Sequence, residues 1–155
     1  MTPSRRTARE SVLKAIYALE QSHDSLEHVI ETILKPDLKA DAKILTFAES
    51  LFLRTVRDAK PLDEIIKGLA VNWDINRIAL IDKIAIRIAL TEMMTFSDIP
   101  VKVTINEAIE LGKKYSTEKS GRFINGVLDA AASKLKDEGK IKKSGAGLIE
   151  TSIQK

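Results

Sequence analysis

The sequence predicts an all-α protein, a single-domain bundle of about seven helices around one central apolar helix. Three observations predict this class. Apolar residues recur at helical spacing along almost the whole chain, capping residues and prolines divide it into segments of helical length, and only one short stretch alternates like a strand. We expect helices near residues 5–21, 25–35, 39–59, 61–70, 75–96, 104–115 and 118–136.

Capping residues and prolines indicate where these helices begin. Asp24 with Glu27, and Thr104 with Glu107, have the spacing of an N-cap residue and its N3 partner. The strand-like alternation over residues 101–105 runs into the second pair, so we interpret it as an extended entry to a helix. Prolines mark further boundaries, because proline has no N–H for an interior turn but is tolerated in a first turn. These prolines are Pro36, Pro61 and Pro100.

The segment 75–96 is apolar nearly all round, which predicts the central helix of the bundle. Helical projection puts Asp82 in the middle of one apolar face of this segment. An unpaired buried carboxylate is destabilising, so we expect a bond to a neighbouring helix end or arginine, or a solvated edge.

The chain divides at residue 136 into a helical domain, 1–136, and a flexible basic tail, 137–155. From residue 137 the sequence loses its apolar periodicity and gains glycine and lysine. Deleting residues 138–155 is therefore predicted to leave the melting temperature almost unchanged.

Composition excludes several classes of protein. The chain has no cysteine, which rules out disulfide scaffolds, thiolate zinc sites and cysteine nucleophiles. No apolar run approaches the roughly 20 residues of a membrane span, so we expect no membrane association, and the lack of cysteine makes the reducing cytoplasm the expected location. The net charge is only +3, but residues 1–20 carry four basic and two acidic groups, and residues 134–155 carry six and three. The two ends therefore suit an anionic partner.

Catalytic and metal signatures are weak. Glu20 and His23 match a Glu-x-x-His ligand pair, but a di-iron bundle needs two such pairs, and this one lies where the first helix should end. A capping or surface histidine is the simpler interpretation. We predict no catalytic residue, no metal site and no cofactor, and hence a protein that is not an enzyme.

Arg5, Arg6 and Arg9 lie in the first turns of the first helix, where the positive end of the helix dipole disfavours cations. An external polyanion would offset this, because guanidinium groups form bidentate contacts with phosphate. Tyr17 falls on the same strip as Arg6 and Leu13, where its ring could stack on a base. A solvated basic arm with Tyr17 half in the core is the alternative.

A second basic and aromatic cluster lies between residues 113 and 126. Tyr115 ends one helix and Phe123 projects about 100° from the core stripe of the next. Lysines and an arginine lie between and around these rings, a combination that suits a single RNA strand. Gly126 weakens its helix by about 1 kcal/mol relative to alanine. This glycine suggests close approach of another helix or a ligand, and packing is the simpler account.

Six segments, taken together and in order, resemble the NusB family of bacterial transcription antitermination factors. The resemblance covers residues 5 to 135, and its most specific parts are the arginine cluster and the Phe-x-Asn-Gly-Val-Leu-Asp stretch. The segments are Arg5-Arg6-Thr7-Ala8-Arg9-Glu10, Ala15-Ile16-Tyr17, Asn72-Trp73, residues 81–90, Ile105-Asn106-Glu107-Ala108 and residues 118–129.

The resemblance implies an all-helical factor that, paired with the ribosomal protein acting as NusE, binds single-stranded boxA-type RNA and joins the antitermination complex on RNA polymerase. Tyr115 stands where phenylalanine is common in the family, and Lys119 where some relatives have aspartate, which puts the contact of Lys119 in question. Carried over by position, the implied RNA-contacting residues are Arg5, Arg6, Arg9, Tyr17, Asp82, Arg87, Tyr115, Lys119 and Phe123.

Two alternatives stay open. One is a helical accessory domain of an RNA-modifying enzyme, although 155 residues of this pattern leave no room for a cofactor-binding α/β domain. The other is a protein-only adaptor that never touches RNA. RNA affinity separates the adaptor from the antitermination factor.

Overall fold

The structure, a computed structural model, describes residues 2–70 and 77–148. Within these ranges all regular elements are helical, which confirms the predicted class, and no helix is long and apolar enough to cross a membrane. Asn72, Trp73, the first two residues of the predicted central helix and tail residues 149–155 lie outside the described residues. The elements are α1 (Arg5–Ser22), α2 (Leu26–Val29), a π-helical turn (Ile30–Leu34), α3 (Lys35–Leu38), α4 (Ala42–Arg57), α5 (Ala59–Leu69), α6 (Leu80–Thr95), α7 (Val101–Tyr115), α8 (Ser120–Asp137) and a 3₁₀ turn (Gly145–Leu148).

The helices fall into two compact units, Met1–Asp58 and Ala59–Lys155. In the first unit, α1 packs against α4 and against the helical segment 26–38. The apolar stripes predicted for these helices face inward together. Fully buried members of this core are Val12, Leu34, Ala48, Leu51 and Phe52.

In the second unit α6 contacts α5, α7 and α8, and its residues from Ile84 through Met93 are all buried. This confirms the central apolar helix. Three of its buried polar side chains each bond to a different neighbouring helix, which restricts how these helices can slide past one another. The pairs are Asp82 with Ser120 on α8, Arg87 with Asp63 on α5, and Glu92 with Thr104 on α7.

The predicted start of α7 is wrong. The helix begins at Val101, with Pro100 as its N-cap, so residues 101–105 are helical rather than extended. Thr104 is no cap; it is buried in the first turn, where its hydroxyl donates to Glu92 Oε1 at 3.1 Å. The segment fits two periods, because Val101, Thr104 and Ile105 also have the i, i+3, i+4 spacing of a buried helical face.

Two further boundaries differ from the prediction. The N-cap before α2 is Ser25, whose hydroxyl accepts from the His28 N–H at 3.1 Å, rather than Asp24. Pro36 does not end the segment, because the π-helical turn before it lets the chain continue to Leu38. A proline ring clashes with the carbonyl four residues earlier in an α-helix, and the wider turn relieves that clash.

The segment after α8 does not leave the protein as a contact-free tail. Gly139, at φ +72°, ends α8 in a Schellman motif in which the Lys140 N–H donates to the Leu135 carbonyl at 2.8 Å. Lys143 Nζ then donates to the Phe96 carbonyl at 2.7 Å, at the C-terminal end of α6 where the helix dipole favours a cation. The Ser144 N–H donates to the carbonyl of Ser97 at 3.1 Å.

Ending the chain after Lys140 is therefore expected to lower the melting temperature by a few degrees. The charged hydrogen bond of Lys143 and the backbone bond of Ser144 together contribute about 1 to 2 kcal/mol. Thermal unfolding followed by circular dichroism measures the shift, and the Lys143→Met variant of the full chain is the matched control for the charged bond alone. An unchanged melting temperature in both variants would support the sequence-based prediction that this segment contributes nothing to stability.

Candidate nucleic-acid interface

The N-terminal arginines differ in their exposure. The α1 helix begins with a capping box, in which the Ser4 hydroxyl accepts from the Thr7 N–H at 3.3 Å and the Thr7 hydroxyl accepts from the Ser4 N–H at 2.7 Å. Arg5 and Arg6 are exposed, whereas Arg9 retains only 4% of its accessible surface. Arg5 and Arg6 can therefore meet an anion from solvent, and Arg9 is part of the packed surface of its unit.

An aromatic ring on α4 supports two of these arginines. The guanidinium carbons of Arg5 and Arg9 lie 5.0 and 5.6 Å from the centroid of the Phe47 ring, within cation–π range. Phe47 is buried, at 8% exposure. Sequence reasoning missed this residue, because nothing in the spacing of α4 distinguishes it from other core positions.

Tyr17 is on the same helix as the arginines and is 41% exposed, so its ring is accessible to a ligand. Eleven residues separate it from Arg6, which is about 16 Å along a helix. Leu13, predicted to lie on the strip between them, is buried at 1% exposure. The predicted strip is therefore interrupted by a core residue, and only its two ends are exposed.

A small cavity in the second unit brings together three of the predicted residues, Asp82, Lys119 and Phe123. It has a volume of about 230 Å³. The N-terminal ends of α6 and α8 both border it, and neither has a side-chain cap, so N–H groups of both first turns lack that partner. The remaining lining residues are Arg77, Ile78, Ala79, Thr117 and Ser120.

Asp82 is 7% exposed and bonds to the neighbouring helix end, one of the partners predicted for it. The Ser120 hydroxyl, in the first turn of α8, donates to Asp82 Oδ2 at 3.0 Å. The same hydroxyl accepts from the Thr117 N–H at 3.3 Å, which ties the loop before α8 to α6. The other carboxylate oxygen, Oδ1, is buried and accepts no hydrogen bond from the described protein atoms.

The rings and cations around this cavity are accessible to different degrees. Phe123 is half-buried and Lys119, the N-cap of α8, is exposed. Tyr115 is half-buried at the end of α7, with Lys114 Nζ 5.3 Å from its ring centroid, and it does not line the cavity. Arg77, which sequence reasoning did not select, adds a second exposed cation beside the cavity.

Arg87 is held inside the second unit. Its Nε and Nη2 atoms donate to the two carboxylate oxygens of Asp63, each at 2.7 Å, in a bidentate pair. Only 6% of its side chain is exposed. In this arrangement the fork of Arg87 faces α5, and the residue links α6 to α5.

Two glycines of the second unit have different roles. A Cβ at Gly112 would overlap the side chain of Ile124 and lie 3.2 Å from Ser120 Cβ, so this glycine permits close packing of α7 on α8. At Gly126 a Cβ would meet nothing within 4 Å. The packing account of Gly126 is therefore wrong. The residue is exposed one turn after Phe123, where a ligand could approach the α8 backbone closely.

His23 confirms the interpretation of a capping histidine. It is the C-cap of α1 in the left-handed conformation, at φ 58°, and its N–H donates to the Leu19 carbonyl at 3.0 Å. Within the described ranges no group of three or more His, Asp or Glu side chains could hold a metal ion.

Comparison with known proteins gives one consistent family. The profile of the NusB family matches residues 6–133. The transcription antitermination protein NusB of Salinibacter ruber is 45% identical over 146 residues, covering 94% of this chain and 91% of that protein.

Two solved structures share the fold. The NusB structure of T. maritima has a TM-score of 0.79 and 35% identity, covering 86% of this chain and 94% of that one. A crystal structure of the antitermination factors NusB and NusE in complex with double-stranded RNA matches with a TM-score of 0.74 and 23% identity, covering 84% of this chain and 96% of that one.

Proposed function

This chain belongs to the NusB family, and we propose that it acts as an RNA-binding transcription antitermination factor. The observation that carries the RNA-binding part is the cavity beside Asp82. A half-buried aromatic ring, two exposed cations and two helix ends without side-chain caps converge there. This combination suits a nucleotide, because a ring stacks on a base while cations and helix N-termini attract phosphate.

Residues of both units have physical roles in this proposal. Arg5 and Arg6 contact phosphates in the first unit, and Lys119 does so in the second. Tyr17 and Phe123 offer rings to bases. Asp82 orients Ser120 and the start of α8 through its Oδ2 atom. Its Oδ1 atom would accept a hydrogen bond from an N–H group of a base that enters the cavity. Gly126 lets the strand pass close to α8.

Arg9 and Arg87 act on RNA indirectly in this proposal, whereas Tyr115 offers RNA a further ring. Arg9 and Arg87 are buried, stacked on Phe47 and paired with Asp63 respectively. Tyr115 ends α7, the helix before the loop that leads to Lys119, and it is an additional stacking surface outside the cavity.

The partners we propose are single-stranded boxA-type RNA, the ribosomal protein acting as NusE, and the antitermination complex on RNA polymerase. The fold shared with a NusB protein solved together with NusE and double-stranded RNA supports the choice of a NusE-type protein and of RNA as partners. The role requires binding alone and no catalysis, so we propose a protein that is not an enzyme and that acts in the cytoplasm, where nascent RNA is made.

One titration tests this function. Full-length protein is titrated with fluorescently labelled boxA-like RNA and with a scrambled RNA of equal length, each with and without the NusE-type ribosomal protein. We expect tighter binding of the boxA-like RNA, and further tightening with the partner present. Equal, weak binding of both RNAs in all four arms would contradict the proposal and favour the protein-only adaptor.

Replacing Phe123 or Tyr17 with alanine is expected to weaken RNA binding by about 1 to 3 kcal/mol, the contribution of one stacked base. Helicity should hold, because both rings are partly exposed. Fluorescence anisotropy gives the affinity and circular dichroism the helicity, and Leu53→Ala, which removes a neutral, 40% exposed side chain on α4, is the control for a nonspecific loss. If a variant loses helicity while its folded fraction binds RNA with normal affinity, the replaced ring belongs to the core and does not stack on RNA.

A further inference from the structure

We propose that the RNA path continues from the cavity beside Asp82 along the exposed side of α8 to Lys134, which contacts a phosphate of the strand. The proposal rests on the proposed function and deepens it, because it extends the same site by a further binding residue. All the residues concerned belong to the second unit, and Lys134 lies one residue beyond the segment that the NusB family profile matches.

Three residues of α8 form one strip that starts at the cavity. An α-helix turns by about 100° per residue, so Ala130 and Lys134, seven and eleven residues after Phe123, both project within about 20° of that ring. Phe123 lines the cavity and is half-buried, whereas Ala130 and Lys134 are exposed. The strip is about 16 Å long, a span that an extended RNA strand covers within a few nucleotides.

The exposed residues between the two ends of the strip are small. Ala130 lies in the middle of the strip, and Gly126 is exposed one turn before it, with nothing within 4 Å of the position that a Cβ would take. A strand can therefore lie close to α8 without displacing protein atoms.

The cavity at the start of the strip gives the independent evidence for a ligand. Asp82 is 7% exposed, and its Oδ1 atom is buried and accepts no hydrogen bond from the described protein atoms. A buried acceptor without a donor is destabilising, so a ligand that brings an N–H group into the cavity is favoured. An RNA base supplies such a group, and the strand attached to that base then continues over the surface beside the cavity.

Lys134 lies where its positive charge is favourable for the protein. It is in the last turn of α8, and a Cβ at Gly68, in the last turn of α5, would lie 3.9 Å from its Nζ atom. The ammonium group is therefore near the C-terminal ends of two helices, whose dipoles favour a cation. Lys140 Nζ, in comparison, lies 3.3 Å from Glu138 Oε1, whereas Lys134 forms no ion pair with any residue that the structure describes. Lys134 thus offers an unneutralised charge to a phosphate.

The first test compares Lys134→Gln with Lys136→Gln in the full chain. Both residues are exposed lysines in the last turn of α8, but they project about 160° apart, so only Lys134 lies on the strip. Anisotropy titrations with boxA-like RNA at several salt concentrations give the slope of log affinity against log salt. We expect Lys134→Gln to reduce this slope by about 0.7, which makes its loss of affinity about fivefold larger at 0.1 M than at 1 M salt. Lys136→Gln should change the slope much less, and equal changes would overturn the contact.

The second test obstructs the strip without changing its charge. Ala130→Gln should weaken binding of the boxA-like RNA severalfold at every salt concentration, because its side chain lies between Phe123 and Lys134. Ser133→Gln, at an exposed position of the same helix about 80° from the strip, is the matched control and should bind nearly as the unsubstituted protein does. Circular dichroism confirms that both variants fold. Equal affinities of the two variants would overturn the path along α8.

A third arm shortens the boxA-like RNA by one nucleotide at a time from each end. In one of the two series the effect of Lys134→Gln should disappear while Phe123→Ala still weakens binding, because the shortened strand fills the cavity but no longer reaches Lys134. An effect of Lys134→Gln that persists in both series down to the shortest RNA bound would overturn the proposal. Failure of the unsubstituted protein to distinguish the boxA-like from the scrambled RNA would instead overturn the proposed function, so the two failures are separable.

Discussion

Replacing Asp63 with alanine is expected to lower the free energy of unfolding by about 3 kcal/mol, the largest single effect we predict. The substitution leaves the Arg87 guanidinium buried without its bidentate carboxylate. The value lies at the lower end of the range for a broken buried pair, because 27% of the Asp63 side chain is exposed and water can enter. Urea unfolding followed by circular dichroism gives the change.

The double variant Asp63→Leu, Arg87→Met is the control, because it removes both charges and keeps apolar volume. It should recover much of the lost stability, since a buried pair replaced by apolar residues is often tolerated. Its affinity for RNA per folded molecule should match that of the unsubstituted protein. A large loss of affinity in the folded double variant would show instead that Arg87 contacts RNA, as the family resemblance implies.

Replacing both Arg5 and Arg6 with glutamine is expected to reduce the slope of log affinity against log salt by about 1.4, at roughly 0.7 for each phosphate contact of a single strand. The factor by which the variant binds more weakly than the unsubstituted protein is therefore about 25 times larger at 0.1 M salt than at 1 M salt. The two residues are exposed, so the substitution should change stability little. Anisotropy titrations at four or more salt concentrations measure the slope.

Adding Arg9→Gln to the Arg5, Arg6 double variant distinguishes the prediction from sequence from the prediction from structure, because the two differ in salt slope and in stability. The sequence alone predicts a total slope change of about 2 for three contacts, with stability steady or slightly higher because a cation leaves the helix N-terminus. The burial of Arg9 against Phe47 predicts little further change in slope and a loss of stability of about 1 kcal/mol. An unchanged slope in the Arg5, Arg6 variant would remove these arginines from the phosphate contacts and leave the cavity beside Asp82 as the site.

The prediction of helices from sequence succeeded where one period explains the residues. The run from Ile84 to Met93 is buried throughout, as the apolar residues on nearly every side of this helix indicate, and burial extends to its polar members Arg87, Thr91 and Glu92. The prediction of helices failed at residues 101–105, where β-branched residues fit both an extended and a helical period. It also failed at Pro36, because a π-helical turn is a local adjustment that apolar spacing does not encode.

The contacts of the segment after α8 could not be predicted from the sequence for a related reason. Lys143 and Ser144 are held by carbonyl groups of Phe96 and Ser97, and backbone acceptors leave no pattern in the sequence. Loss of apolar periodicity shows that a segment is not an amphipathic helix. It does not show that the segment lacks contacts.

The sequence by itself determined that this protein is all-helical, that its basic groups gather near aromatic residues, and which family it resembles, because periodicity, charge and motifs are local properties. Only the tertiary structure decided which of those charges can reach a ligand. Arg5 and Arg6 are exposed, whereas Arg9 and Arg87 are buried against Phe47 and Asp63, residues that lie 38 and 24 positions away in the chain. Pairing across such distances depends on how the helices pack, and helical spacing along one segment carries no record of it.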